Sequence, residues 1–202
     1  MQLYYFPGAC SLAPHIALRE TGQTFELKKV DIHAKRIEGG ADYTQVNPKG
    51  YVPALKLASG EVLTEAPVIL QYIADQKPDS GLAPKPGTLE RYRLQEWLNF
   101  TSSEIHKSFS PLFNPATPPD WKAGATAALT RRLDWLDSQL KGRTYLLGDK
   151  FTAADAYLFV TLSWTGHVGM DLAKWPSLKA YVERIAHRPK VIEALRAEGL
   201  MQ

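Results

Sequence analysis

The chain carries a single cysteine, Cys10, at a place where a thiol can react. Before it run the short apolar stretch Leu3 to Phe6 and the turn pair Pro7-Gly8; after it Ser11 leads into a helical pattern. Backbone N–H groups at a helix start lack intrahelical partners, and the dipole there is positive. Both favour a thiolate, so Cys10 is expected to ionise near neutral pH. The other reading of a lone cysteine is an inert, buried small hydrophobe. Val52-Pro53 comes next, just ahead of a strand pattern. Proline is tolerated as the first residue of a strand, and X–Pro bonds are mostly trans. A cis bond at this place would turn the N–H and C=O of the preceding residue toward a peptide ligand, and Pro53 is expected to be cis. Thr64-Glu65-Ala66-Pro67 marks a strand-to-helix junction. Helix-start amides bind a carboxylate and Glu65 can accept from an ammonium, so the junction suits an α-amino acid end group. The plainer alternative is a solvated acid in a first helical turn.

A second group lies further along. Asn99, Ser103, Glu104, His106 and Lys107 crowd one helical segment, and the spacing of Asn99, Ser103 and His106 puts them on one face. His106 is the histidine best placed to serve as a base or hydrogen-bond donor. Phe109, Phe113, Trp164 and His167 could line an apolar pocket, or the aromatics among them could be plain core. No H-E-x-x-H, C-x-x-C, G-x-G-x-x-G or phosphate-loop lysine pattern occurs, so nothing supports a metal, nicotinamide or nucleotide cofactor.

The elements that must position these residues differ between the two halves. The first half reads strand (Leu3 to Phe6), helix (Leu12, His15, Ile16 and Arg19 spaced for successive turns), and strand from Phe25 to about Asp31. A polar stretch, 33–49, shows little periodicity. A hairpin about Ser59-Gly60 and a helix opening at Pro67 follow. A strand–helix–strand unit implies parallel neighbours joined by a right-handed crossover, and the hairpin adds an antiparallel pair. The expected product is a mixed four-stranded, thioredoxin-like sheet. Residues 77–87 hold three prolines and two glycines, which reads as a linker. Beyond it only helical patterns occur: Leu94, Leu98 and Ile105, then Leu129, Leu133, Leu136 and Leu140, then a capping box at Thr152-Ala153-Ala154-Asp155. The expected class is α+β, with a thioredoxin-like domain at 1–78, a linker at 79–87 and an all-α domain at 88–202.

Composition narrows the function classes. Of 202 residues, 24 are basic and 21 acidic, and the charges are interspersed rather than gathered into the basic stripe of a nucleic-acid binder. No apolar run approaches the ~20 residues of a membrane span, and Met1 to Gly8 has no signal-peptide pattern. An unpaired thiol fits a reducing compartment, so a cytoplasmic protein is expected.

The run Leu3-Tyr4-Tyr5-Phe6-Pro7-Gly8-Ala9-Cys10-Ser11-Leu12-Ala13-Pro14-His15-Ile16-Ala17-Leu18 resembles the opening of bacterial beta-class glutathione transferases. Asn47-Pro48-Lys49-Gly50-Tyr51-Val52-Pro53 resembles their cis-proline loop, and Leu63-Thr64-Glu65 with Ile69 to Asp75 their γ-glutamyl site and following helix. Leu98 to Lys107 and Gly148 to Asp155 resemble helices of their second domain, so the likeness spans essentially the whole chain. The resemblance implies that Cys10 meets the glutathione sulfur, Val52 and Pro53 present the backbone to the cysteinyl unit, and Lys35 approaches the glycyl carboxylate. It further implies that Glu65 and the amide of Ala66 hold the γ-glutamyl end, with Asn99, Ser103, Glu104 and His106 lining the site. Glutathione enters as co-substrate, a small hydrophobic electrophile is the second ligand, and a homodimer is expected. The family usually has serine where this chain has Ala66, which removes one hydroxyl contact. Tyr4, Tyr5 and Ser11 stand near the places where other classes carry their thiol-activating residue. Two functions are consistent with this likeness: a glutathione-conjugating detoxification enzyme with a thiol-transfer side activity through Cys10, or a non-catalytic binding protein on the same fold.

Overall fold

The computed structural model describes residues 1–201. By contact it divides into two units, one of residues 1–84 joined by the segment from His187 onward, the other Lys85–Ala186. The expected division gave everything after residue 87 to the helical domain. The difference arises because the last helix packs on the first.

In the first unit the sheet has the order β3-β2-β1-β4-β5. Strand β1 (Gln2–Tyr5) pairs parallel with β2 (Glu26–Asp31) and antiparallel with β4 (Ala54–Lys56); β5 (Val62–Thr64) closes the hairpin against β4. The fifth strand, β3 (Arg36–Ile37), lies in the stretch that lacked periodicity and pairs antiparallel with β2. Two residues are too few for alternation to show in a sequence. The turn into β3 is made instead by the Asp31 carboxylate, which accepts from the N–H groups of His33 and Ala34 at 2.9 Å each. Helix α1 (Leu12–Glu20) buries every residue from Leu12 to Leu18, and α2 (Ala66–Asp75) packs beside it through an apolar face that includes Ile69, Leu70 and Ile73. On the sheet, Tyr4, Val30, Tyr43 and Ala54 form a cluster with Ile37, Val46 and Val62 packed around it.

Helix α8 (Pro189–Ala197) is tied to α1 by the Arg188 guanidinium, which grips Glu20 with bonds of 2.8 and 3.0 Å. Just past it, Glu198 enters the interior of the unit. Its Oε1 lies 2.8 Å from Nδ1 of His15, both side chains fully buried, and its Oε2 accepts the N–H of Gly8 at 3.0 Å. Arg19 Nε donates to His15 Nε2 at 2.8 Å. Since Nε2 accepts, the ring proton sits on Nδ1 and is given to Glu198. The turn that leads to Cys10 is thereby held by a residue 190 positions away along the chain.

The helical unit begins with α3 (Leu89–Phe100), which runs without a break through a π-helical segment, Thr101–His106, into α4 (Lys107–Phe113). Leu94, Leu98 and Ile105 are buried as the periodicity requires. The π segment was not legible in it. Two hydroxyls accompany it: Ser103 Oγ donates to the Asn99 carbonyl and Ser108 Oγ to that of Glu104, at 3.0 and 2.7 Å. Helix α5 (Pro119–Leu140) buries the stripe Leu129, Leu133, Leu136 and Leu140. Helix α6 (Ala153–Ser163) is buried from Ala153 to Leu162, and α7 (Pro176–Ala186) is docked by Asp137, whose carboxylate accepts from the N–H groups of Ser177 and Leu178. The capping box forms as expected. Asp155 takes the N–H and hydroxyl of Thr152 at 2.8 and 2.7 Å, and also the Leu146 N–H and the Tyr181 hydroxyl, both at 2.8 Å. Burial pushes its pKa up despite these four donors. Among the described residues no helix is long and apolar enough to cross a membrane.

Candidate active site

In the first unit the chain gathers its site residues where three loops leave the sheet. The Tyr51 carbonyl accepts the Tyr43 hydroxyl and the Asn47 amide, both at 2.7 Å, which fixes the segment ahead of Val52. The Val52–Pro53 bond is cis, as expected. The Val52 carbonyl accepts the thiol of Cys10 at 3.3 Å.

The surroundings of Cys10 oppose the expected ionisation. Helix α1 starts two residues later, at Leu12, and its first amides are already used: Leu12 N–H bonds the Ala9 carbonyl and Ala13 N–H that of Cys10. Burial pushes the thiol up to about 12; the Glu65 charge adds to this, while the Cys10 and Ser11 amides oppose it. Burial and the Glu65 charge thus favour a protonated, hydrogen-bond-donating thiol over the expected thiolate, at a side chain that keeps partial exposure. Ser11 is fully buried, its hydroxyl engaged with the N–H and carbonyl of Phe6 at 3.2 and 3.3 Å, and burial raises the pKa of Tyr5, with the Glu198 charge next in weight. Neither supplies an obvious substitute base.

Glu65 adopts φ +69°, a left-handed conformation uncommon for a residue with a side chain, and its carbonyl receives the Val68 and Ile69 amides from the first turn of α2. Its carboxylate is exposed, and Lys49 Nζ stands 2.7 Å from Oε1 and 3.1 Å from the Thr64 hydroxyl. Ala66 opens α2 and is buried. Lys35, at φ +55°, donates to the Gly50 carbonyl at 2.9 Å and lies 5.7 Å from the centre of the exposed Tyr51 ring. Gly50, at φ +69°, leaves the room this needs, because a Cβ there would come within 3.3 Å of the Lys35 side chain.

In the helical unit Asn99 and Ser103 are exposed along the α3–π junction. Glu104 is paired with Arg132 of α5 at 2.7 Å. His106 Nδ1 lies 2.7 Å from the Tyr157 hydroxyl of α6, and its ring stands edge-on to Trp164 at 4.9 Å. Phe109, Phe113 and Trp164 pack against each other at 5.5 to 5.7 Å. The structure thus brings three of the four expected pocket residues together beside His106. His167 is exposed in a short 3₁₀ turn, with no ring contact to them. Lys49, Glu198 and Tyr157 had no role in the sequence reading. Lys49 stood inside a recognised run, whereas no local pattern points to the other two, whose partners lie 183 and 51 residues away.

Residues 8–76 match the family model of the glutathione S-transferase N-terminal domain, and residues 100–189 that of the C-terminal domain. The chain belongs to the glutathione S-transferase family. It is 48% identical over 200 residues to the glutathione S-transferase GstA of Escherichia coli O157:H7, covering 99% of this chain and all of the relative. Among solved structures it is similar to a sphingomonad glutathione S-transferase complexed with glutathione (56% identity, TM-score 0.96, 99% of this chain and 100% of that one). It is equally similar to the bacterial beta-class glutathione S-transferase of Sphingomonas chungbukensis, at 55% identity and TM-score 0.97 over the full length of both.

Proposed function

We propose that the protein is a glutathione transferase that joins the glutathione sulfur to a small hydrophobic electrophile, with Cys10 acting as a neutral hydrogen-bond donor. The observation that carries this reading is the Cys10 thiol aimed at the Val52 carbonyl from beside the cis-proline loop. A thiol bound there meets a donor that stays protonated and stabilises negative charge on the incoming sulfur. That sulfur attacks the electrophilic carbon, one S–C bond forms, and the leaving group departs with the bonding pair. Lys35, Val52, Pro53, Glu65 and the Ala66 amide hold the tripeptide, Asn99, Ser103, Glu104 and His106 complete its site, and Phe109, Phe113 and Trp164 receive the electrophile. Oxidised glutathione opens a second route: Cys10, on losing its proton, attacks the disulfide, forms a mixed disulfide and releases one glutathione. We place the enzyme in the cytoplasm as a two-fold homodimer, which a sedimentation mass of one 22.5 kDa chain would refute. The test of function is conjugation of glutathione to a panel of halogenated and nitroaromatic electrophiles, with calorimetric titration of glutathione. Binding with turnover of some panel member is expected. Absence of both favours the non-catalytic binding protein.

A further inference from the structure

We infer that Tyr43 is a positioning residue for the cis-proline loop: its hydroxyl, with the amide of Asn47, holds the Tyr51 carbonyl in place while the carbonyls on either side exchange partners as glutathione binds. This role rests on the reading of Lys35, Val52 and Cys10 as ligand residues.

Three consecutive carbonyls of the loop each accept from a side chain. Gly50 takes Lys35 Nζ at 2.9 Å, Tyr51 takes the Tyr43 hydroxyl and the Asn47 amide at 2.7 Å each, and Val52 takes the Cys10 thiol at 3.3 Å. These donors differ in how firmly they are held. Tyr43 is fully buried, its ring centre 5.6 Å from that of Tyr4, in the cluster that includes Val30 and Ala54. Its backbone is tied as well: its N–H donates to the Lys35 carbonyl at 2.9 Å, and its own carbonyl accepts the Asn47 N–H at 3.0 Å. Tyr43 therefore joins the turn that carries Lys35 to the loop that carries Val52. Asn47 is buried beside it, with Nδ2 on the Tyr51 carbonyl and Oδ1 accepting the Lys49 N–H at 3.2 Å. Burial pushes the Tyr43 hydroxyl up to about 12, so it remains a proton donor at neutral pH. Lys35 and Cys10, by contrast, keep partial exposure and can meet a ligand.

Binding redistributes these donors. A thiol has one proton, so the proton that Cys10 gives to the glutathione sulfur is withdrawn from the Val52 carbonyl, which can then accept the cysteinyl N–H of the ligand. The Lys35 ammonium is drawn to the glycyl carboxylate, a charged acceptor and a stronger partner than the neutral Gly50 carbonyl. The side-chain holds on Gly50 and Val52 thus loosen at the moment when the loop must present Val52 in register. The hold on Tyr51 involves no ligand group and stays, so the loop is already set when the ligand arrives. A tyrosine that served the core alone would leave glutathione binding unchanged when its hydroxyl is removed.

The test is NMR of wild type carrying labelled carbonyl carbons in glycine, tyrosine and valine, titrated with glutathione, together with steady-state kinetics of Tyr43→Phe. At saturation the Gly50 and Val52 carbonyl resonances should move and that of Tyr51 should stay, a measurement that needs no variant. Tyr43→Phe keeps the ring in the core and removes one neutral hydrogen bond; KM for glutathione should rise about fivefold, with kcat at saturating glutathione changed little. A Tyr51 resonance that moves as far as those of its neighbours overturns the inference. So does a folded Tyr43→Phe variant whose KM is unaltered, or whose loss lies in kcat alone. Should the variant fail to fold, the wild-type titration decides. Failure of the glutathione reading shows differently, as a wild type in which none of the three resonances moves and no turnover occurs; that result removes the ligand, and the role of Tyr43 with it.

Discussion

His15 and His106 sit in different units of the same chain and are held in opposite ways. His15 is clamped on both nitrogens by charged groups, Arg19 giving a proton to Nε2 and Glu198 taking one from Nδ1, in a place with no exposed side-chain surface. His106 is held at Nδ1 by a neutral hydroxyl, in a partly exposed helical turn beside an aromatic cluster. A histidine saturated by a cation and an anion has no proton left to trade; its work is to tie α8 and the Gly8 turn to α1. Residue type alone distinguishes neither case. The charge of the partner at Nδ1 and the burial of the ring do.

The sharpest way to break this contrast is Glu198→Ala. It leaves the Gly8 amide without this acceptor and the fully buried His15 ring without the carboxylate at Nδ1. Each buried donor left without an acceptor costs about 1–3 kcal/mol. Chemical denaturation should register a loss of that size, while Glu198→Gln, which still accepts the Gly8 N–H, should lose less. A change below about 1 kcal/mol for the alanine variant would mean that the clamp is not structural.

Cys10 gives the next largest effect, because the Gly8 turn delivers it. Its absorbance as thiolate should be missing at pH 7 to 9 and develop only as pH approaches about 12. The sign of the stability effect follows. A thiol whose folded pKa lies above the unfolded one binds its proton more tightly when folded. That contribution is whole below pH ~9 and is lost as pH rises toward 12. Cys10→Ala should abolish mixed-disulfide formation with oxidised glutathione, read by intact mass, and leave some conjugation through His106. A thiol that titrates near neutral pH would restore the helix-start argument that the geometry displaced.

Much of this was legible in the sequence. The strand–helix–strand order, the hairpin, the linker, the leucine stripe of α5 and the capping box of α6 are local patterns, and local patterns are what periodicity and turn residues report. Strand β3 escaped because two residues carry no alternation. What opposes ionisation of Cys10 was not legible, because position in the chain shows a helix start but not how far the thiol is buried, which amides are already paired, or that Glu65 lies close enough to oppose a second negative charge. Glu198 and Tyr157 could not be found at all. Their partners are distant in sequence, and a lone glutamate near a C-terminus or a tyrosine on a buried helix looks like any other.

Ala66→Ser is a gain-of-contact test of the γ-glutamyl site. The helix-start position is buried, so an added hydroxyl improves binding only where it finds a partner, and one neutral hydrogen bond contributes about 1 kcal/mol. Glutathione affinity should rise about fivefold, measured by calorimetry. No change would place the ligand's carboxylate away from the start of α2.

The smallest expected effect belongs to Lys49→Met, and it isolates what burial contributes to an ion pair. Lys49 and Glu65 approach to 2.7 Å, slightly closer than the 2.8 Å of His15 and Glu198, so distance would rank the two pairs alike. Their surroundings differ: the Lys49 and Glu65 side chains are 54% and 62% exposed, the others not at all. Water competes for both exposed groups, salt screens them, and holding two long side chains together costs rotamer freedom, so such pairs contribute about 0–1 kcal/mol. Losing Lys49 also leaves no buried polar group without a partner, whereas Glu198→Ala takes the acceptor from the buried Nδ1–H of His15. Denaturation of Lys49→Met should therefore match wild type within about 0.5 kcal/mol, and the difference should vanish at 1 M salt. A loss comparable to that of Glu198→Ala would show that partner geometry, rather than solvent exclusion, sets the strength of ion pairs in this fold.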